Sequence, residues 1–267
     1  MMVKLIASDI DGTLLQNNAR AVSPIVIEFI RRLSSRGVVF VAASGRQYSN
    51  LRRLFKPVQD DIAYICENGS LIMYNGRAIS KTIINRELGE ELLDYISSLP
   101  DCEFLLSGEN YSYINPKDDE YKDYIENGLG NDTKVIEKYD EADEDFIKIS
   151  VYCKDGIDKY ASEFKQKWGG RFKATVSGKC WFDFVPLNVN KGAALKRLMD
   201  EFNVDFEDTM CFGDSYNDME MFDVSYYSYA ISSADREIRN KARFITPNVE
   251  SILFDVEIVY NNAKNTR

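Results

Sequence analysis

Val3-Lys4-Leu5-Ile6-Ala7-Ser8-Asp9-Ile10-Asp11-Gly12-Thr13-Leu14, close to the start of the chain, sets the frame for the rest. An apolar, β-branched run broken by Lys4 and Ser8 is the pattern of a strand buried on both faces of a parallel sheet. It ends in two carboxylates spaced by one residue, Asp9 and Asp11, followed by Gly12 and Thr13. Open parallel sheets bind ligands beyond the carboxyl ends of their strands, so each further strand end is a place to look for chemistry.

Working outward, Ser23-Pro24 supplies a helix cap and a first-turn proline, Val26, Ile30 and Leu33 recur at helical spacing, and Gly37 closes the pattern. Val38 to Ala43 reads as a second buried strand, which completes a right-handed βαβ unit. Ile62 to Cys66 is a third. Leu71 to Tyr74 and Ala78-Ile79 flank Asn75-Gly76, a strong hairpin signal. The character then changes. Helical patterns at Glu90 to Ser98, Asp118 to Asn127 and Ile157 to Trp168 interleave with strands near Phe104, Tyr113, Ile147 to Tyr152 and Trp181 to Val185. After Lys191 the earlier style returns, with a helix over Ala193 to Phe202, a strand over Thr209 to Phe212 and shorter pieces through Ile252. The expected fold is α/β: a discontinuous Rossmann-like parallel-sheet core over residues 1–82 and 188–267, with an inserted α+β cap domain over 83–187.

The chain has 267 residues, 45% of them hydrophobic, and 33 Lys plus Arg against 43 Asp plus Glu give a formal net charge of −10. That field repels phosphate backbones and anionic lipid, which excludes nucleic acid and membrane as expected partners. There is no histidine, so imidazole triads and His metal sites are ruled out. Cys66, Cys102, Cys153, Cys180 and Cys211 are widely spaced and form no C-x-x-C pair, so they read as buried packing thiols in a reducing compartment. No run is long enough for a signal peptide or a membrane span, and the expected location is cytoplasmic.

The strand ends carry Asp9 and Asp11, then Ser44-Gly45-Arg46, then Glu67-Asn68-Gly69, then Gly213-Asp214-Ser215-Tyr216-Asn217-Asp218. Asp9, Asp11, Asp214 and Asp218 would repel one another at one sheet edge, and a hard divalent cation, Mg2+ in cytoplasm, resolves that repulsion. A magnesium site beside a hydroxyl, exposed backbone amides and a lysine suits phosphoryl transfer. Asp9 can attack phosphorus, and Asp11 can protonate the leaving group and then deprotonate water. Ser44 and the amides around Gly45 can donate to phosphoryl oxygens, while Lys191 adds a point charge. Plainer readings stand beside these. Ser44 can merely cap a helix, Asp218 can be the N-cap of a helix over 218–222, and Glu67-Asn68-Gly69 can be a simple left-handed turn. Tyr111, Tyr113, Trp181 and Phe184 alternate at strand spacing, as core residues do.

Taken together with Asn190-Lys191-Gly192, these motifs resemble the haloacid dehalogenase-like hydrolase superfamily, specifically Cof-like phosphatases with a large α/β cap. The resemblance implies that Asp9 is the phosphorylated nucleophile and that Asp11 is an acid/base whose backbone carbonyl binds magnesium. It further implies that Asp214 is a direct metal ligand, with Asp218 beside the metal, and that Ser44, Lys191, Asn217 and the amides of Ile10 and Gly45 hold phosphate. Leu187-Asn188 departs from the family pattern, where a glycine is expected. The implied substrate is a small phosphorylated metabolite of the sugar phosphate class, with Arg46 the candidate contact beyond the phosphate and Lys179 a second. Two alternatives are a sugar phosphomutase and a non-catalytic phosphate-binding domain. A mutase needs cap arginines for a second phosphate, and the segment from Ile83 to Pro186 has only Arg86 and Arg171; a non-catalytic domain would lack one of the first two aspartates.

Overall fold

The computed structural model describes residues 2–17 and 19–264. The chain starts with strands β1 (Leu5–Asp9), β2 (Val39–Ala43) and β3 (Ala63–Cys66), then a hairpin of β4 (Leu71–Tyr74) and β5 (Arg77–Lys81). Asn75 and Gly76 both take positive φ between the hairpin strands, as their dipeptide demands. Strands β6 (Glu103–Ser107), β7 (Ser112–Ile114), β8 (Thr133–Val135), β9 (Lys148–Tyr152), β10 (Lys173–Gly178) and β11 (Trp181–Val185) follow. The chain then returns through β12 (Thr209–Gly213), β13 (Tyr227–Ile231) and β14 (Phe244–Thr246). Two compact units result. One comprises Met1–Arg46, Leu51–Ile79 and Asn190–Arg267, and the other Gln47–Asn50 and Ser80–Val189.

The first unit holds a sheet in the order β14-β13-β12-β1-β2-β3-β4-β5. Strands β14 through β3 run parallel, and β4 turns back antiparallel on β3. Leaving β1, the chain adds strands on one side through β2 and β3. After the insert it adds them on the other through β12, so the order reverses between β1 and β12. Alternation within the strands fixes the two faces. Leu5, Ala7, Val41, Ala43, Ala63 and Ile65 share a core with Ala194, Leu195, Leu198 and Met199 of the helix Lys191–Phe202. The intervening Phe40 faces the other way, toward Phe55, with ring centroids 6.1 Å apart. Burial on both faces is what the apolar run at Val3 required.

In the second unit the sheet order is β10-β11-β9-β6-β7-β8, antiparallel except for β7 on β8. Phe104, Leu106, Tyr113, Ile149, Val151, Phe182 and Phe184 form one apolar face, packed with Leu92, Leu93, Ile96, Phe164 and Trp168 of the helices Arg86–Ser97 and Asp158–Trp168. Tyr113 and Phe184 are therefore core, whereas Trp181 is half-buried and Tyr111 is exposed. Cys180 is also only half-buried, unlike the other four cysteines. No helix among the described residues is long and apolar enough to cross a membrane.

The chain re-enters the first unit at Asn190, whose side chain accepts from the Ala193 amide at 2.7 Å and starts the helix that carries Lys191. Gly69 has φ +107°, and a Cβ there would lie 2.5 Å from the Asn190 carbonyl oxygen. Substituting Gly69→Ala should therefore lower stability by about 2 kcal/mol or more, from a strained φ and a backbone clash together. Urea unfolding at unchanged slope reads this as a lower midpoint; an unchanged midpoint would show that the turn yields freely.

Candidate active site

Strand β1 delivers Asp9 to the carboxyl edge beside the point where the strand order reverses. The turn after it is closed by Leu15 N–H donating to Ile10 O at 2.8 Å and Gly12 N–H donating to Leu15 O at 3.0 Å. Gly12 sits at φ +94°, and a side chain there would collide with the Asp214 carboxylate. Buried Thr13 donates its hydroxyl to that same carboxylate. The residues Asp9 to Thr13 thus do more than present two acids: Gly12 and Thr13 bring in and hold a third carboxylate from the loop after β12.

At the centre is Lys191, 1% exposed. Its ammonium donates to Asp9 Oδ1 at 2.5 Å and to Asp218 Oδ1 at 2.7 Å. Asp218 Oδ2 accepts the backbone N–H groups of Asp214 and Ser215, each at 3.0 Å. Asp218 does precede the helix Met219–Asp223, but its side chain does not cap that helix; it closes the turn from Ser215 and faces the lysine. Gly213 lies directly beneath it, where a Cβ would meet the Asp218 side chain.

Carboxylate oxygens of Asp9, Asp214 and Asp218 lie within 4.8 Å of one another. Burial pushes the Asp9 carboxyl well above its ordinary range, and the Asp218 charge adds to this against the pull of Lys191. Burial likewise raises Asp214. For Lys191, burial opposes the charge, but Asp218 and Asp9 outweigh it and hold the ammonium above its usual pKa. Asp9 Oδ2 is buried with no hydrogen-bond partner among the described residues. An all-oxygen set with an orphaned, charge-deficient acceptor fits a hard divalent cation.

Asp11 is not in this cluster. Its carboxylate is more than half exposed and takes two hydrogen bonds from Arg46, from Nε at 2.8 Å and from Nη2 at 2.5 Å. The four-carboxylate cluster expected from the sequence is thus three carboxylates, because the fourth points to a guanidinium. Ser44 is buried, with its N–H donating to Ile65 O at 2.8 Å and its hydroxyl accepting from Arg46 N–H at 3.2 Å. Asn217 Nδ2 donates to Asn68 Oδ1 at 3.0 Å. The sequence places Asn68 at the end of the third strand, in a motif that also reads as a left-handed turn, and assigns it no contact; in the structure its neighbour Glu67 takes a left-handed φ as well.

A parallel sheet with a lysine-bridged aspartate pair at its switch point is the framework of a hydrolase class that the sequence profile of haloacid dehalogenase-like hydrolases captures; it matches residues 6–251. The chain belongs to that family. It is similar to a 5-amino-6-(5-phospho-D-ribitylamino)uracil phosphatase of Bacillus subtilis, 28% identical over 268 residues, covering 91% of this chain and 93% of the relative. A protein of the same description from Escherichia coli is 23% identical over 245 residues, covering 91% and 90%. A crystal structure from Eubacterium rectale superposes with a TM-score of 0.86 at 27% identity, covering 96% of this chain and 99% of the other.

Two substitutions at the centre should move stability in opposite directions when measured in chelator. Folded Asp9 holds its proton to higher pH than an unfolded aspartate, so its contribution favours the fold in acid and turns unfavourable as pH rises through the folded value. Asp9→Asn removes that cost and should raise the urea midpoint at neutral pH, with the difference vanishing below about pH 4. Lys191→Met strands two buried carboxylates and should destabilise by about 3–5 kcal/mol at neutral pH. Equal midpoints for all three proteins would mean that the cluster is solvated.

Proposed function

We propose that this chain is a phosphatase that hydrolyses small phosphate monoesters through a phosphoryl group carried on Asp9. The observation that carries the reading is the buried Lys191 ammonium shared by Asp9 and Asp218, with Asp9 Oδ2 unpartnered among the described residues at the sheet's switch point. Lys191 holds one oxygen of Asp9 and thereby aims the other. The same ammonium offsets negative charge that a phosphoryl group brings to Asp9. Burial holds the Asp9 carboxyl well above its ordinary range, so positive charge brought to the site favours the ionised form that attacks.

Asp9 and Asp214 are the residues that would hold a magnesium ion, with Asp218 behind them. Bound there, the ion would neutralise the carboxylates and draw charge from the phosphoryl oxygens. Asp11, outside the cluster and reachable from solvent, is free of that burden and is placed to protonate the leaving oxygen and later to deprotonate water. The two-point Arg46 pair that holds it lies at the solvent edge, so it would have to open for Asp11 to take a proton. Ser44, the backbone amides of Ile10 and Gly45, and the Asn217 amide supply the remaining donors to phosphate.

For the substrate we favour a sugar or polyol phosphate, whose alcohol would be the leaving group, supported by the two relatives named for a phosphoribityl substrate. A phosphomutase would need an arginine cluster for a second phosphate. Arg86 is engaged by Glu90 and the carbonyls of Tyr139 and Ala142, and Arg171 by Glu91, which favours hydrolysis.

Turnover should need magnesium and be lost in excess EDTA, and undiminished activity in chelator would contradict the metal assignment. Asp214→Ala should raise the magnesium concentration needed for half-maximal rate. Asp11→Asn should lose about 10²–10⁴-fold in kcat/KM on a sugar phosphate but much less on p-nitrophenyl phosphate, whose leaving group needs little protonation. Equal losses on both esters would remove Asp11 from the proton-transfer role.

A further inference from the structure

We propose that Asn68 is a positioning residue of the phosphate site: its carbonyl oxygen sets which end of the Asn217 amide faces the phosphate, and its turn sets the loop Ser44-Gly45-Arg46. The proposal rests on the phosphatase reading above and assigns a role to a motif that reading leaves unused.

Three successive residues, Glu67, Asn68 and Gly69, have φ of 50°, 57° and 107°. Glycine and asparagine tolerate this region; glutamate rarely does, so something must hold it there. The holding contacts run to the phosphate loop. Glu67 N–H donates to Arg46 O at 3.1 Å, and Asn68 N–H to Ser44 O at 3.0 Å. Both loop carbonyls are thereby turned onto the 67–68 turn. On the other side, Gly69 packs against the Asn190 carbonyl that opens the Lys191 helix. The turn therefore ties the Ser44 loop to the helix carrying the central lysine.

The side chain adds a second constraint. A Cβ on Gly45 would lie 3.1 Å from Asn68 Oδ1, so the Asn68 amide lies over the loop where only glycine leaves ordinary room. From there Asn68 Oδ1 accepts from Asn217 Nδ2 at 3.0 Å, while Asn217 Oδ1 is buried without a hydrogen-bond partner among the described residues. The two ends of a carboxamide are nearly the same size and shape, and only hydrogen bonding selects between them. A phosphate oxygen is attracted by N–H and repelled by C=O, so a flipped Asn217 would oppose binding. An acceptor on Asn68 engages one hydrogen of Nδ2, fixes the amide plane and leaves the other hydrogen for phosphate.

The test is a double-mutant cycle in the full-length protein, with p-nitrophenyl phosphate as substrate. Asn68→Gly keeps the positive φ and removes the amide; Asn217→Ala removes the donor. Asn68→Gly should lower kcat about 10-fold while KM moves less than about 3-fold, a fraction of the loss expected for removing a donor outright. In the Asn217→Ala background it should cost nothing further. Losses that multiply, or unaltered kinetics for Asn68→Gly, would overturn the proposal. Absence of any phosphatase activity in the wild-type protein would instead overturn the underlying reading. Independently of turnover, the ¹⁵N side-chain amide resonance of Asn217 should move in Asn68→Gly. In Asn68→Asp, which keeps an acceptor and the backbone preference while adding a charge, the Asn217 side-chain amide should keep the slow hydrogen exchange of the wild type, which Asn68→Gly should lose. The reverse pattern would overturn positioning.

Discussion

One buried ammonium organises the first unit. Lys191 is enclosed at the start of a helix, where the peptide dipoles already place positive potential, and only Asp9 and Asp218 make that position tenable. In return it allows two carboxylates to sit in the interior close to a third. Much of the surrounding sequence follows from this. Asn190 caps the helix, Ala194, Leu195, Leu198 and Met199 press it onto the sheet, and Gly213 and Gly12 make room for Asp218 and Asp214. A side chain at either glycine would push a carboxylate off the lysine or off its neighbours.

On the proposed reading, the same arrangement lets the acids divide their work. Asp9 is desolvated and restrained, conditions that suit a nucleophile switched on by charge compensation. Asp11 stands two residues further along, outside the cluster and open to solvent, where a proton can come and go. Strand β1 ends at Asp9, so Asp11 lies beyond it; the turn through Gly12 is what separates the two environments.

The parallel sheet was legible because its strands are buried on both faces and so read as uninterrupted apolar runs. The hairpin was legible because Asn75-Gly76 leaves few alternatives. Strands β8 and β10 were not, since they are edge strands with half-exposed residues and no apolar alternation. The helix Tyr48–Leu54 escaped notice because only Leu51 in it is buried. The C-terminal helix, Val249–Lys264, extends well past Ile252; Leu253, Val256 and Tyr260 form its buried stripe, while exposed Phe254, Ile258 and Val259 blur the pattern. Within the site, the strand-end positions pointed to acids that the fold brings together, Asp9, Asp214 and Asp218, but not to Arg46 taking Asp11 out of the cluster or to Asn68 contacting Asn217. Both depend on side-chain directions set by neighbouring loops.

Whether Asp9 carries the phosphoryl group is open to direct observation. With magnesium and a sugar phosphate, acid quenching during steady turnover followed by peptide mass mapping should find one phosphoryl group on the peptide containing Asp9. That signal should be strongest in Asp11→Asn and absent in Asp9→Asn. Release of phosphate at full rate with no phosphorylated Asp9 at any quench time, or continued turnover by Asp9→Asn, would contradict the account and favour direct attack by water.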